Sequence, residues 1–177
     1  MPAPPPSVLG IAARSGTGKT TLLRALIPLL REAGLQLALA KHSHHALELD
    51  RPGKDSHRLR LAGAAAVLVC SGRRTALIDT RPEPWPLAAS LAALAAPDID
   101  LILVEGFKAA PIPKLELHRP ALGAPPLFPH DHHIIAVACD APLDRPCPLP
   151  LLDLNAPPAI AAFVLARLQA GALVTTP

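Results

Sequence analysis

The sequence predicts an α/β fold in three layers, with a mostly parallel central sheet and an antiparallel hairpin extending it. Three observations support this. Short β-rich runs alternate with longer helical ones, which is the order a parallel sheet with crossover helices requires. The 23 prolines cluster between these runs and so mark their limits. The chain has 177 residues, 50% of them hydrophobic and 18% charged, which suits one domain with a substantial core of small aliphatic side chains.

The elements follow in order. Ser7–Ala12 reads as a buried strand, and Lys19–Ala33 as a helix with Leu22, Leu26, Leu29, Leu30 and Ala33 on one face. Gly34 stands where a helix ends, and Pro28 predicts a kink or a local break. Gln36–Lys41 is a second strand, followed by a polar, histidine-rich segment from His42 to Pro52 that is too long for a simple connector. Asp55 is placed to cap a short helix running to Ala62. Ala66–Cys70 and Thr75–Asp79 read as strands joined by the turn Ser71-Gly72-Arg73-Arg74. Pro86–Ala95 reads as a helix with proline in its first turn, and Asp100–Glu105 as the most strand-like stretch of the chain. Lys114–His118 and Ile134–Cys139 are further strands, and Ala159–Ala170 is a closing helix. The proline-rich segments Arg119–His133 and Ala141–Pro150 read as surface loops.

Composition narrows the function. With no Tyr, one Trp and three Phe, the chain lacks the stacking platforms of single-strand nucleic-acid binders. Its net charge of +3 includes no long basic run, so no nucleic-acid partner is expected, although a small anionic ligand would suit it. No apolar stretch reaches the roughly 20 residues that span a bilayer, and the start MPAPPPS lacks the features of a secretory signal. Cys70, Cys139 and Cys147 form no CxxC pair and suggest no disulfide framework. The expectation is a soluble cytoplasmic protein without a membrane partner.

The strongest motif is Ala13-Arg14-Ser15-Gly16-Thr17-Gly18-Lys19-Thr20, set between the first strand and the first helix. It fits the phosphate-loop pattern G-x-x-x-x-G-K-[ST], with Ala13 in the first glycine position. Backbone N–H groups from Gly16 to Thr20 can wrap a phosphate, helped by the helix dipole. Lys19 would reach the β- and γ-phosphates and the Thr20 hydroxyl would ligate Mg²⁺. The predicted architecture is therefore that of a P-loop NTPase.

Such a site needs an acidic residue at the end of a neighbouring strand, and Leu101–Val104 runs into Glu105-Gly106, with the glycine expected to leave room for a ligand. Asp100, at the other end of that run, reads as a cap. Asp50 is a candidate for a second, nucleotide-sensing carboxylate, or else a turn aspartate before Arg51-Pro52-Gly53. Twelve of the 17 basic residues are Arg, so the positions that keep Lys suggest a need for a compact point charge. Lys19, Lys41, Lys54 and Lys108 fall at strand ends or in loops beside the proposed site. His42, His44 and His45 follow Lys41, and phosphate or substrate contact, transition-metal binding and simple solvation are all open to them. For His130, His132 and His133 solvated loop positions are the leading reading.

Together, Ser15–Leu23 (SGTGKTTLL), Lys41–His45 (KHSHH), Asp50–Ser56 (DRPGKDS), Ala62–Ala64 (AGA), Asp100–Lys108 (DLILVEGFK) and Ile135–Asp140 (IAVACD) make the chain resemble the molybdopterin-guanine dinucleotide biosynthesis protein B (MobB) family. The phosphate loop alone is shared by very many NTPases, whereas its combination with KHxHH, PGKDS and EGFK is specific. The resemblance implies a Mg²⁺-dependent GTP-binding protein with weak GTPase activity, usually a homodimer. It would assist a MobA-type guanylyltransferase that joins GMP to molybdopterin, and so would meet molybdopterin or the enzymes that handle it. By position, phosphate binding falls to Ser15, Gly16, Thr17, Gly18, Lys19, Thr20 and Thr21, and the Mg²⁺ site to Thr20 and Glu105, with Asp50 as a further candidate. No N-K-x-D motif occurs to recognise guanine. Asp140, at the end of a late strand, could accept from the N1–H and N2–H₂ edge, or could be a surface cap. Slow turnover is expected, because only Asp50, His44 or Arg14 of a second copy could orient a water. The proline-rich stretch Arg119–His133 and Cys139 depart from the family pattern.

Three rival readings stand beside this one. The histidine clusters suit a nickel-chaperone-like GTPase. The strand-end Val104-Glu105-Gly106 is similar to dethiobiotin synthetase, which suggests an ATP-dependent small-molecule kinase or ligase. In a non-enzymatic scaffold, nucleotide would only hold a dimer together.

Overall fold

The computed structural model describes residues 5–43, 52–83 and 85–173. It divides into two compact units, Met1–His42 with Leu87–Pro177, and Ser43–Pro86. Asp50, His44 and His45 lie outside the described residues.

The larger unit is built on a six-stranded parallel sheet. Its strands are β1 (Ser7–Ala13), β2 (Leu37–Lys41), β5 (Leu101–Glu105), β6 (Lys114–His118), β7 (Ile134–Cys139) and β8 (Leu151–Asp153), in the spatial order β2-β5-β1-β6-β7-β8. β5 is buried along its whole length and β1 from Val8 onward, which explains their continuous apolar sequences: both faces of the sheet are covered. On one face, helices α1 (Lys19–Glu32) and α4 (Pro157–Gln169) pack Leu22, Leu26, Leu30, Ile160 and Val164 against Leu9, Ile11, Leu101 and Leu103. On the other, α3 (Leu87–Leu94) sets Leu87, Leu91 and Leu94 over Val8, Ile102 and Val104. Farther along that face, Phe128 from the proline-rich segment closes a smaller cluster with Ile134 and Val137.

The smaller unit carries helix α2 (Asp55–Leu61) and the antiparallel pair β3 (Ala66–Cys70) and β4 (Thr75–Asp79), in register from Ala66↔Asp79 to Cys70↔Thr75. The predicted fold class is borne out, parallel sheet and hairpin alike. No helix among the described residues is long and apolar enough to cross a membrane.

Four local expectations need correcting. Helix α1 runs through Pro28 without a local break; that residue is exposed, and the carbonyl left unpaired by its missing N–H can be met by water. Lys54, not Asp55, is the residue before α2, and Asp55 is the first helical residue, where its charge suits the helix dipole. β8 was not visible in the sequence. The segment Arg119–His133 is more than a surface loop, because it covers a row of polar side chains on β6. Lys114, Glu116 and His118 are all buried there. Glu116 accepts the backbone N–H groups of Leu127 (2.6 Å) and Phe128 (2.8 Å), and Lys114 pairs with Asp131 at 2.7 Å.

Candidate nucleotide site

The carboxyl ends of parallel strands β2, β5, β1, β6 and β7 share one edge of the sheet, and the residues that follow them gather there. After β1 comes the glycine loop. Gly16 (φ +78°) and Gly18 (φ +100°) adopt left-handed backbone that other residues rarely take, and nothing stands within 4 Å of the Gly16 Cβ position. Gly18 is the N-cap of α1 and provides no side-chain cap, while the first turn holds no acidic residue. The helix N-terminus is thus suited to an anion. Thr17 is 2% exposed, and its hydroxyl donates to the Arg14 carbonyl at 2.9 Å. The Lys19 ammonium lies back over the loop, 3.4 Å from that same carbonyl. Ser15, Thr20 and Thr21 are exposed.

β5, the strand beside β1, and β2 beyond it end side by side, with Lys41 opposite Glu105. The buried Glu105 carboxylate meets the Lys41 ammonium at 3.4 Å. The chain then turns sharply at Gly106 (φ +99°), where an added Cβ would fall 2.3 Å from the His42 carbonyl oxygen. Gly106 therefore does not leave room for a ligand: the space is taken by the backbone of His42, whose N–H donates to the Glu105 carbonyl at 2.8 Å. The His42 ring packs at 5.1 Å from Phe107, and Lys108 follows on the surface.

On the other side of the loop, β6 hands over to Arg119, a residue that sequence reasoning passed over. Its Nε donates to the Thr17 carbonyl at 2.9 Å, and its Nη1 donates to Asp140 Oδ2 at the end of β7. Asp140 is thus not a free strand-end carboxylate. One oxygen is held by Arg119, while the other, Oδ1, is buried without a hydrogen-bond partner among the described residues. Beyond them opens a cavity of about 380 Å³ walled by His118, Pro120, Pro126, Leu143 and Arg145.

The remaining candidates belong to other segments of the chain. Lys54 precedes α2 in the smaller unit. His130, His132 and His133 lie in a turn where Asp131 accepts the His133 N–H at 3.0 Å. Burial pushes the Asp131 carboxyl up, but the Lys114 ammonium and the His133 N–H outweigh it and hold it below the usual range. Among the described residues no three His, Cys, Asp or Glu side chains converge in a way that could hold a metal ion.

The donor set fits a phosphate with its magnesium: left-handed glycines, an uncapped helix N-terminus, a lysine, an exposed Thr20 hydroxyl and a buried strand-end carboxylate. Sheet order and loop together define a protein of the P-loop NTPase fold class. Comparison with known proteins makes this specific. The family model for molybdopterin guanine dinucleotide synthesis protein B matches residues 8–140, and the chain belongs to that MobB family. It is 45% identical over 165 residues to the molybdopterin-guanine dinucleotide biosynthesis adapter protein of Escherichia coli K12, covering 92% of this chain and 93% of the relative. The adapter protein of Haemophilus influenzae is 42% identical over 159 residues, with 89% and 86% covered. Among solved structures, the MobB homologue of Bacillus stearothermophilus superposes with a TM-score of 0.70 at 25% identity, covering 92% of this chain and 98% of that one.

Proposed function

We propose that this chain is a GTP- and Mg²⁺-binding adapter of molybdenum cofactor biosynthesis, assisting a MobA-type guanylyltransferase that converts molybdopterin to its guanine dinucleotide form. The observation that carries this reading is the uncapped, left-handed Gly16–Thr20 loop on a chain 45% identical to a curated adapter of that pathway. In this reading the N–H groups of Gly16 to Thr20, with Ser15 and Thr21 beside them, enclose the phosphates, and Lys19 swings from Arg14 to neutralise them. Thr20 and Glu105, with Asp50 as a further candidate, would hold Mg²⁺ or its water shell, and the ion would supply charge neutralisation for the phosphate oxygens. Asp140 Oδ1 is the acceptor proposed for the guanine edge. Lys41, His42 and Lys108 supply further contacts around the strand ends, and Lys54, His44 and His45 are proposed from the sequence alone.

Turnover in this reading is slow. Lys19 offsets charge, but a water-orienting group must come from Asp50, His44 or Arg14 of a second copy. The proposed homodimer has support in the smaller unit, where the hairpin exposes Leu68 (62%) and Leu77 (52%) as a cross-strand pair. A two-stranded hairpin is marginal alone, so a second copy would stabilise it.

The test is calorimetric titration with GTP, ATP and GDP in the presence of Mg²⁺, for the wild type and Lys19→Ala. Selective GTP binding that vanishes in the variant is expected. Equal or better ATP binding would remove the guanine assignment and favour a kinase or ligase.

A further inference from the structure

The peptide between Thr17 and Gly18 is held from outside the loop. Its carbonyl accepts from Arg119 Nε at 2.9 Å, and a second guanidinium nitrogen lies 3.8 Å from the position a Gly18 Cβ would take. No peptide bond among the described residues is cis, and in a planar trans peptide the C=O and N–H point in opposite directions. Fixing the Thr17 carbonyl toward Arg119 therefore turns the Gly18 N–H away from it. The guanidinium is in turn oriented by Asp140, so one chain of contacts runs from the end of β7 to the phosphate loop.

This restraint matters because the loop is otherwise free to turn. Gly18 has no side chain to oppose a rotation of that peptide plane, and glycine tolerates either sign of φ. A flipped plane would present the Thr17 carbonyl dipole to an anion in place of the Gly18 N–H. Neither nearby side chain of the loop holds this peptide: those of Thr17 and Lys19 are both directed to the Arg14 carbonyl.

We propose that Arg119 is a positioning residue for phosphate binding: with Asp140 behind it, it locks the Thr17–Gly18 peptide so that the Gly18 N–H faces the phosphate. The proposal rests on the nucleotide-binding reading above and assigns to it a residue outside the loop motif. Asp140 acquires a second task, orienting Arg119, that is separable from any contact with a base.

Inorganic tripolyphosphate with Mg²⁺ is the discriminating probe, since it has no base. Arg119→Ala should weaken tripolyphosphate and GTP by the same factor, about tenfold or more, and leave the GTP-to-ATP preference unchanged. Arg119→Lys, which can reach Thr17 or Asp140 but cannot bridge both, should recover only part of the loss. In ¹⁵N-labelled protein the shift of the Gly18 amide on adding tripolyphosphate should be lost in Arg119→Ala, a readout that a merely structural role would not move. Asp140→Asn, the milder change, should weaken tripolyphosphate about threefold and serves if Arg119→Ala does not fold. Tripolyphosphate binding within twofold of wild type in Arg119→Ala, or in Asp140→Asn when that variant stands in, would overturn the proposal. So would a loss confined to GTP. If the wild type binds neither ligand, the nucleotide reading fails and this one with it. If the wild type binds both, Lys19→Ala abolishes binding and Arg119→Ala changes nothing, only the present proposal fails.

Discussion

Gly106→Ala tests whether the close crossing of β2 and β5 organises the acidic end of the site. The new methyl would fall 2.3 Å from the His42 carbonyl oxygen and 3.1 Å from both the carbonyl carbon and Cβ of that residue. The two nearest atoms are backbone, so no side-chain rotation relieves the overlap. Alanine at φ +99° adds a conformational cost of about 1–2 kcal/mol. Relieving the overlap means drawing His42 off β5 and loosening its 2.8 Å bond to the Glu105 carbonyl, about 1 kcal/mol more. The sum, about 2–3 kcal/mol, should lower the melting temperature by about 5–10 °C in a domain of this size. Gly34→Ala is the matched control: its φ is +93°, but nothing lies within 4 Å of the added atom, so it carries the conformational cost alone. Thermal unfolding followed by circular dichroism compares the two. If Gly106→Ala melts no lower than Gly34→Ala, the backbone contact with His42 is not what demands glycine, and the account of this strand end is wrong.

Two further outcomes follow from groups outside the phosphate loop. Burial raises the Glu116 carboxyl above its ordinary 4.5, with the Leu127 and Phe128 N–H groups pulling the other way. The unfolded chain therefore loses this proton first, and the stability of wild type relative to Glu116→Gln should fall as pH rises above 4.5 and level off once the folded carboxyl has ionised; urea midpoints that run parallel across that range would refute the sign. Leu68→Asp combined with Leu77→Asp places two charges on the exposed hairpin face, and light scattering should then report one chain where the wild type reports two. A dimer that survives the double change would exclude this face as its interface.

How much of the fold could be read in advance depended on where the stabilising partner of each element lies. β1 and β5 announce themselves because strands covered on both faces need unbroken apolar sequence. The hairpin announces itself through the turn Ser71–Arg74, a local signal. β8 has only three residues, and its identity as a strand comes from pairing with Val137, Ala138 and Cys139 of β7, so nothing within Leu151–Asp153 marks it. β6 is legible as a strand, but nothing local shows that Lys114, Glu116 and His118, which alternate with Leu115 and Leu117, form a buried face. That face is buried because the proline-rich segment brings two backbone N–H groups to Glu116 and Asp131 to Lys114. The continuity of α1 at Pro28 was not legible because it depends on that residue facing water, where the unpaired carbonyl can be solvated.

The same contrast governs the site. The phosphate loop was legible because its chemistry is carried by backbone and therefore imposes glycines at fixed spacing. The strand end at Glu105 was legible because an apolar run terminates there, whereas Gly106 meets the His42 backbone and makes no room for a ligand, which only the register of β2 on β5 reveals. Arg119 carried no local signal at all. Its acceptors lie 102 and 21 residues away, and it begins a segment whose prolines read as an ordinary loop. What could have found it is topology. β6 is the strand hydrogen-bonded to β1 on the side away from β5, and Leu117 pairs with Ala13 immediately before the phosphate loop. The second residue beyond that pair is Arg119. In a parallel sheet the residue that leaves the strand beside the phosphate loop is delivered to that loop whatever its sequence context. The proline-rich composition that argued for a surface loop is compatible with a different course, in which the segment starts at a hydrogen bond to the Thr17 carbonyl and then folds back to bury the polar face of β6.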